Sequence, residues 1–163
     1  MLTVTLLVCG LVAVARTLDD SVEEDPCEKY STDSWIRLHG RSYLFVPANL
    51  TWAEAEKNCR SMQANLVSVH NADENEFIND LIIIFTHSSP RTWIGGSDCQ
   101  QDNLWLWSDG TDFTFSLWSP GQPDNLNGQE ACIQINPGEI SQWDDTSCSD
   151  LLPSICAKTC KTR

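Results

Sequence analysis

Residues 122–148, QPDNLNGQEACIQINPGEISQWDDTSC, decide how this chain is read. In this stretch Gln122-Pro123-Asp124 is followed by Glu130 and then by Trp143-Asp144-Asp145, with Cys132 and Cys148 on either side of the last group. Five oxygen-bearing side chains, Gln122, Asp124, Glu130, Asp144 and Asp145, fall within twenty-four positions. A hard divalent cation such as Ca²⁺ takes roughly six to eight oxygens from carboxylates, amides and carbonyls. The stretch is therefore the candidate for where the protein acts.

Far upstream, Leu2–Ala15 carries no charged side chain and ends Ala13-Val14-Ala15, a small-x-small cleavage pattern. It is too short to span a bilayer and reads as a secretory signal peptide over residues 1–15. Removing it leaves about 148 of the 163 residues, the size of one domain. The formal charge of −13 survives, because the removed segment is uncharged. Such a balance repels nucleic-acid phosphates and suits a cation. Part of it sits in residues 16–26, where Asp19, Asp20, Glu23, Glu24 and Asp25 form a solvated acidic lead-in. The product is expected to be secreted and soluble, with no membrane span and no nucleic-acid partner.

Cys9 leaves with the signal peptide, and seven cysteines remain: Cys27, Cys59, Cys99, Cys132, Cys148, Cys156 and Cys160. In an oxidising compartment they read as a disulfide framework, since no CxxC pair stands with histidines at zinc spacing. His39, His70 and His87 are scattered and read as surface or second-layer residues. An odd number leaves at least one thiol free or bonded to another chain.

The first half is helical and the second is not. Arg41–Val46 is a strand candidate. In the segment 51–62 (TWAEAEKNCRSM), Thr51 and Glu54 make a capping box, and Trp52, Ala55, Cys59 and Met62 share one helical face. A second helix is predicted over Asp73–Phe85, with Phe77, Ile78, Leu81 and Ile84 or Phe85 inward. After Pro90, short apolar pieces alternate with Gly, Asp, Pro and Asn: Thr92–Gly96, Leu104–Trp107, Cys132–Ile135, Ser141–Trp143 and Ser154–Ala157. The expected class is α+β, two helices followed by a loop-rich β region.

These pieces in this order resemble a C-type lectin domain. The residues that carry the resemblance are Trp52 and Cys59 on the first helix, Trp93-Ile94-Gly95-Gly96, Trp107-Ser108-Asp109-Gly110, Gln122-Pro123-Asp124, Glu130-Ala131-Cys132, Trp143-Asp144-Asp145, Cys148 and Cys156. The likeness covers residues 27–160 and is greatest to small secreted fish lectins and fish type II antifreeze proteins. It implies antiparallel sheets with a long calcium-binding loop, and the bridges Cys59–Cys156 and Cys132–Cys148. The first would contribute on the order of 4 kcal/mol by constraining the unfolded chain. Ser42 stands where the family pairs the N-terminal Cys27, so Cys160 is the substitute partner. Cys99 has no partner, because Ala131 occupies the position that would bridge to it. Two fates stay open for it, a link between two chains in a homodimer or a buried thiol.

Carried over position by position, the family's principal Ca²⁺ site implies Gln122, Asp124, Glu130, Asp144 and Asp145 as metal ligands, with Pro123 in a cis peptide. Ala131 lacks the carboxylate of an auxiliary ion. In the family Ca²⁺ is the floor of a sugar site, so Gln122, Asp124, Glu130 and Asp144 are also the implied carbohydrate contacts. Gln-Pro-Asp resembles the galactose-type order, which implies Ca²⁺-dependent binding of galactose or N-acetylgalactosamine ends and a place in recognition of microbial glycans. Asp144 departs from the usual Asn: an ionised Asp only accepts hydrogen bonds, so one sugar hydroxyl loses its amide donor. The same change raises the ligand set to four formal negative charges. Asn125-Leu126-Asn127-Gly128 supplies no aromatic platform, and Trp93, Trp105, Trp107, Trp118 and Trp143 read as core.

The rival class is a Ca²⁺-dependent ice-binding protein, which the acids after Trp143 favour and the absence of regular Thr spacing disfavours. An enzyme is least supported, since no Ser-His-Asp, Cys-His or zinc signature appears and the carboxylates serve better as ligands. Asn49-Leu50-Thr51 is an N-glycosylation sequon just before the first helix.

Overall fold

The computed structural model describes residues 35–136 and 141–159. The signal peptide, the acidic lead-in and the expected Cys27–Cys160 pair lie outside those residues.

The chain enters through β1 (Ile36–Leu38), turns at His39-Gly40 and returns as β2 (Arg41–Leu50). The predicted strand at Arg41–Val46 thus runs four residues further, with a register break between Val46 and Leu50. Thr51 then caps α1 (Trp52–Ser61): its side chain accepts from Glu54 N–H at 3.4 Å, and Glu54 Oε2 accepts from Thr51 N–H at 3.1 Å. Ala55 and Cys59 are buried, with Trp52 and Met62 packed at the margin of the same cluster.

After β3 (Asn65–Leu66), Asn71 caps α2 (Ala72–Thr86), which ends where His87 adopts a left-handed conformation. Ile78, Leu81 and Ile82 are buried, and Phe77 packs its ring edge on Tyr43 at 5.0 Å. Here the expected helix face needs correction. Ile84 is 62% exposed and Phe85 is exposed too, because the last turn runs past the core; Ile82, four residues after Ile78, takes the inward place.

The remaining strands are β4 (Thr92–Ser97), β5 (Leu106–Trp107), β6 (Cys132–Asn136), β7 (Gln142–Thr146) and β8 (Leu152–Thr159). Their sheet order is β1-β2-β8-β4-β6-β7, with β3 beside β8 and β5 beside β4. β2 and β8 pair antiparallel from Arg41 opposite Thr159 to Leu50 opposite Leu152, so the two ends of the described chain are neighbours. Gly95 is required by close approach: a Cβ there would lie 2.6 Å from the Leu66 carbonyl oxygen.

Among the described residues, two apolar clusters form the core. One joins the inner face of α2 to Trp107, Ile133, Ile135, Trp143 and Ile155. The other surrounds Cys59–Cys156, a bridge spanning 97 positions, and includes Trp93 and Cys132. Cys132–Cys148 is the second bridge, as the resemblance implied. Cys99 is unbonded and exposed, which removes the buried-thiol alternative; the turn after β4 carries it outward.

A polar knot ties β2 to the start of the long loop. Arg41 donates to the Ser68 carbonyl and hydroxyl at 3.0 and 2.9 Å and pairs with Glu74 at 3.2 Å, while the Ser68 hydroxyl donates to Asp109. His70 Nε2 is 3.0 Å from that hydroxyl. Ser68 is fully buried, and its hydroxyl is taken up by its contacts with Arg41, His70 and Asp109.

Candidate functional site

The segment between β5 and β6 is pinned onto β7 before it reaches the acidic residues. Trp143 N–H donates to Leu117 O and Ser119 N–H donates to Trp143 O, both at 2.8 Å. Trp143 itself is anchored from below: its indole donates to Asn75 Oδ1 at 2.7 Å, and Asn75 Nδ2 donates to Ser141 O at 2.8 Å. The two residues after Trp143 are thereby held at the surface end of the core. A turn from Ser119 to Gln122 then leads into a cis Gln122–Pro123 peptide, the isomer the resemblance implied.

Beyond Pro123 the loop folds onto its own acids. Asp145, only 1% exposed, accepts Asp124 N–H on Oδ1 at 3.0 Å and Asn125 N–H on Oδ2 at 2.8 Å. Glu130 Oε2 accepts Leu126 N–H at 2.9 Å, and Glu130 N–H donates to Asn125 Oδ1 at 3.2 Å. Carboxylate oxygens of Asp124, Glu130 and Asp145 come within 4.8 Å of one another. Asp144 falls outside that trio. It pairs across the ladder with Gln134, whose amide donates to Asp144 Oδ2 at 2.8 Å.

Two oxygens complete the picture. Asp144 Oδ1 and Gln122 Oε1 are both buried without a hydrogen-bond partner. An unpaired buried acceptor costs on the order of 1–3 kcal/mol, and these two belong to residues that flank Asp124 and Asp145 in the chain. Burial, with Asp145 and Asp124 nearby, pushes the Glu130 carboxyl above its ordinary range although Leu126 N–H opposes. Asp144 is likewise raised, by burial first and then by Asp145 and Asp124, against the Gln134 hydrogen bond. An all-oxygen donor set of carboxylates and an amide is the chemistry of a hard cation such as Ca²⁺ rather than of zinc.

All five residues singled out in the sequence thus lie on one loop and its supporting strand. Missing from that reading were Asn125 and Gln134, which hydrogen-bond to Glu130 and Asp144, and Asn75, which anchors Trp143 beside them. Asn75 carried a signal, a polar residue three before Ile78 on the inward helix face. Gln134 carried none: alternation between Ile133 and Ile135 points it outward, whereas pairing with Asp144 buries it. Among the tryptophans, Trp93, Trp107 and Trp143 are buried, while Trp105 and Trp118 pack against the core half-exposed.

The family described as Lectin C-type domain matches residues 48–158. Ladderlectin of Oncorhynchus mykiss is 34% identical over 94% of this chain and 91% of its own length. The type-2 ice-structuring protein of Osmerus mordax is 37% identical over 94% and 90%, and the lactose-binding lectin l-2 of Anguilla japonica is 40% identical over 80% and 79%. Among solved structures, a Ca²⁺-dependent type II antifreeze protein superposes with a TM-score of 0.71 at 41% identity, covering 78% of this chain and 98% of that one. A calcium-independent type II antifreeze protein also gives 0.71, at 30% identity over 79% and 94%. The same fold therefore stands with and without a calcium requirement.

Proposed function

The chain belongs to the lectin C-type domain family, and from that premise we propose that it is a secreted, Ca²⁺-dependent lectin for terminal galactose or N-acetylgalactosamine. The observation that carries the calcium part is the pair of unpartnered buried oxygens, Gln122 Oε1 and Asp144 Oδ1, beside the carboxylates of Asp124, Glu130 and Asp145. These five residues would hold the ion. Bound Ca²⁺ supplies coordination positions for two vicinal sugar hydroxyls.

The protein's own groups then sort the sugars. Asp124 and Glu130 accept from hydroxyls, and the Gln122 amide donates. At Asp144 the donor is missing, and the nearby Gln134 amide does not replace it, because Gln134 is fully buried and committed to Asp144. The nearest loop offers Leu126, 57% exposed, as its apolar contact, with no ring to stack on a sugar face. Weak single-site binding made useful by multivalency follows. Galactose-type order at 122–124 and a lactose-binding relative at 40% identity support the preference. Recognition of microbial glycans is the role such a lectin would serve.

The reading includes a signal peptide at 1–15, an acidic segment at 16–26 and a lectin domain at 27–160, closed by Cys27–Cys160. Asn49 is exposed in the irregular end of β2 and open to glycosylation. Calcium titration by calorimetry, followed by galactose and mannose competition, tests the central claim. Galactose should compete in Ca²⁺ and lose all effect in EDTA, and Asp124→Asn should move preference away from galactose. Failure to bind Ca²⁺ near millimolar concentration would sink the calcium reading.

A second reading is supported by the ice-structuring relative at 37% identity: calcium-dependent ice binding at the same loop. Ice-crystal growth measured with and without Ca²⁺ separates the two. Shaped crystals with no sugar competition would select ice.

A further inference from the structure

Beside the acidic loop lies a cluster of three sulfurs that neither sugar nor calcium chemistry uses. Cys132 and Cys148 form a disulfide, and the Cys99 thiol sits 3.6 Å from Cys148 Sγ. All three sulfurs lie within 4.8 Å of one another. This is not a metal site, since two of the three are oxidised and have no thiolate to offer.

The fold brings Cys99 there. Ser97 pairs with Cys132 in the β4–β6 ladder, and Asp98 N–H donates to Ala131 O at 3.1 Å, so Cys99 leaves the ladder directly alongside Ala131. Asp98 Oδ2 accepts Asn103 N–H at 2.8 Å, closing the turn that carries Cys99. Burial is graded across the cluster: Cys99 is exposed, Cys148 half-buried and Cys132 fully buried.

We propose that Cys99 is a built-in nucleophile for the Cys132–Cys148 bridge and exchanges with it within one chain. The Cys99 thiolate attacks Cys148 Sγ, 3.6 Å away and on the less buried of the two bridged residues. A Cys99–Cys148 bond forms as the Cys132–Cys148 bond breaks. Cys132 leaves as a thiolate and takes up a proton equivalent to the one Cys99 released to solvent. One thiol and one disulfide stand on each side, so no oxidant or reductant is consumed. Displacement runs along the S–S axis, so the exposed Cys99 side chain must first rotate onto the line through Cys132 and Cys148. Because a thiolate is the attacking form of any thiol, exchange runs faster at alkaline than at acid pH.

Exchange alters what the bridge constrains. Cys132–Cys148 closes a loop of 16 positions, whereas Cys99–Cys148 spans 49. It also frees the start of β6, two residues after Glu130. Any effect on calcium rests on the reading above, but the exchange itself is measured without a metal, so the two can fail separately.

The experiment uses the secreted chain at submicromolar concentration, held at pH 5 or pH 8.5. It is quenched in acid, unfolded, alkylated at low pH and cut with pepsin. At pH 8.5, peptides linked through Cys99 and Cys148 should appear together with alkylated Cys132, at a rate independent of protein concentration. At pH 5 they should form at least a hundredfold more slowly. Cys99→Ser should retain only Cys132–Cys148. Cys132→Ser should yield a Cys99–Cys148 bond, which keeps the test informative if the first variant misfolds. Alkylation of Cys99 alone at both pH values overturns the proposal. So does finding Cys99 bonded to a second chain or to a small thiol, or finding both thiols free in Cys132→Ser.

Discussion

Asp144 has one carboxylate oxygen held by Gln134 and the other buried without a partner. Replacing it by Asn removes a formal charge from the ligand set and introduces an amide donor. Asp144→Asn should therefore weaken Ca²⁺ several-fold and tighten galactose at saturating Ca²⁺, both read by calorimetry. Simultaneous weakening of ion and sugar would refute the division of labour. Asp109 behaves differently. Burial would raise its carboxyl, but hydrogen bonds from Ser68 and Thr111 and the Arg41 charge outweigh it and hold the group below the ordinary aspartate value. A depressed folded pKa contributes stability that is present above the unfolded value near 3.8 and lost as pH falls through the folded one. Urea midpoints should therefore drop more between about pH 4 and pH 2 for the wild type than for Asp109→Asn. Parallel curves would exclude this contribution.

At the scale of elements, close approach decides where substitution is tolerated. A Cβ on Gly95 meets the backbone oxygen of Leu66, which cannot rotate away, so β3 and β4 must separate. Gly95→Ala should cost about 1–3 kcal/mol, measured as a lower urea midpoint at unchanged slope. An effect below half that range would mean the strands yield freely. Both helices were legible in the sequence because capping and apolar spacing are local properties. The Thr51–Glu54 box and the Ala55–Cys59 face appear in the structure as read. The final turn of α2 was not legible: its apolar residues keep the helical period, but nothing local says where the neighbouring sheet stops covering them. The candidate ligands at 122–145 could be named from the sequence because the acids and amides stand in the chain itself. Their supports were not, since Asn75 lies 68 positions from Trp143 and reaches it only through packing.

At the scale of the whole molecule, ion binding and stability are linked. A ligand that binds only the folded state adds RT ln(1 + [L]/Kd), about 2.7 kcal/mol at a hundredfold excess over Kd. Calcium should raise the thermal midpoint in a concentration-dependent way, EDTA should reverse it, and magnesium should do far less. A midpoint indifferent to calcium would leave the acidic loop without its ion. The sheet order adds a consequence of another kind. The described chain enters at the β1 edge and ends on β8, third in the sheet order, while Asp144 and Asp145 lie on β7 at the other edge. Five strand spacings of about 4.8 Å separate those edges, roughly 24 Å. A linker joined at β1 would therefore hold the described domain by the sheet edge away from β7. Copies held that way would keep Asp144 and Asp145 on the strand farthest from the linker.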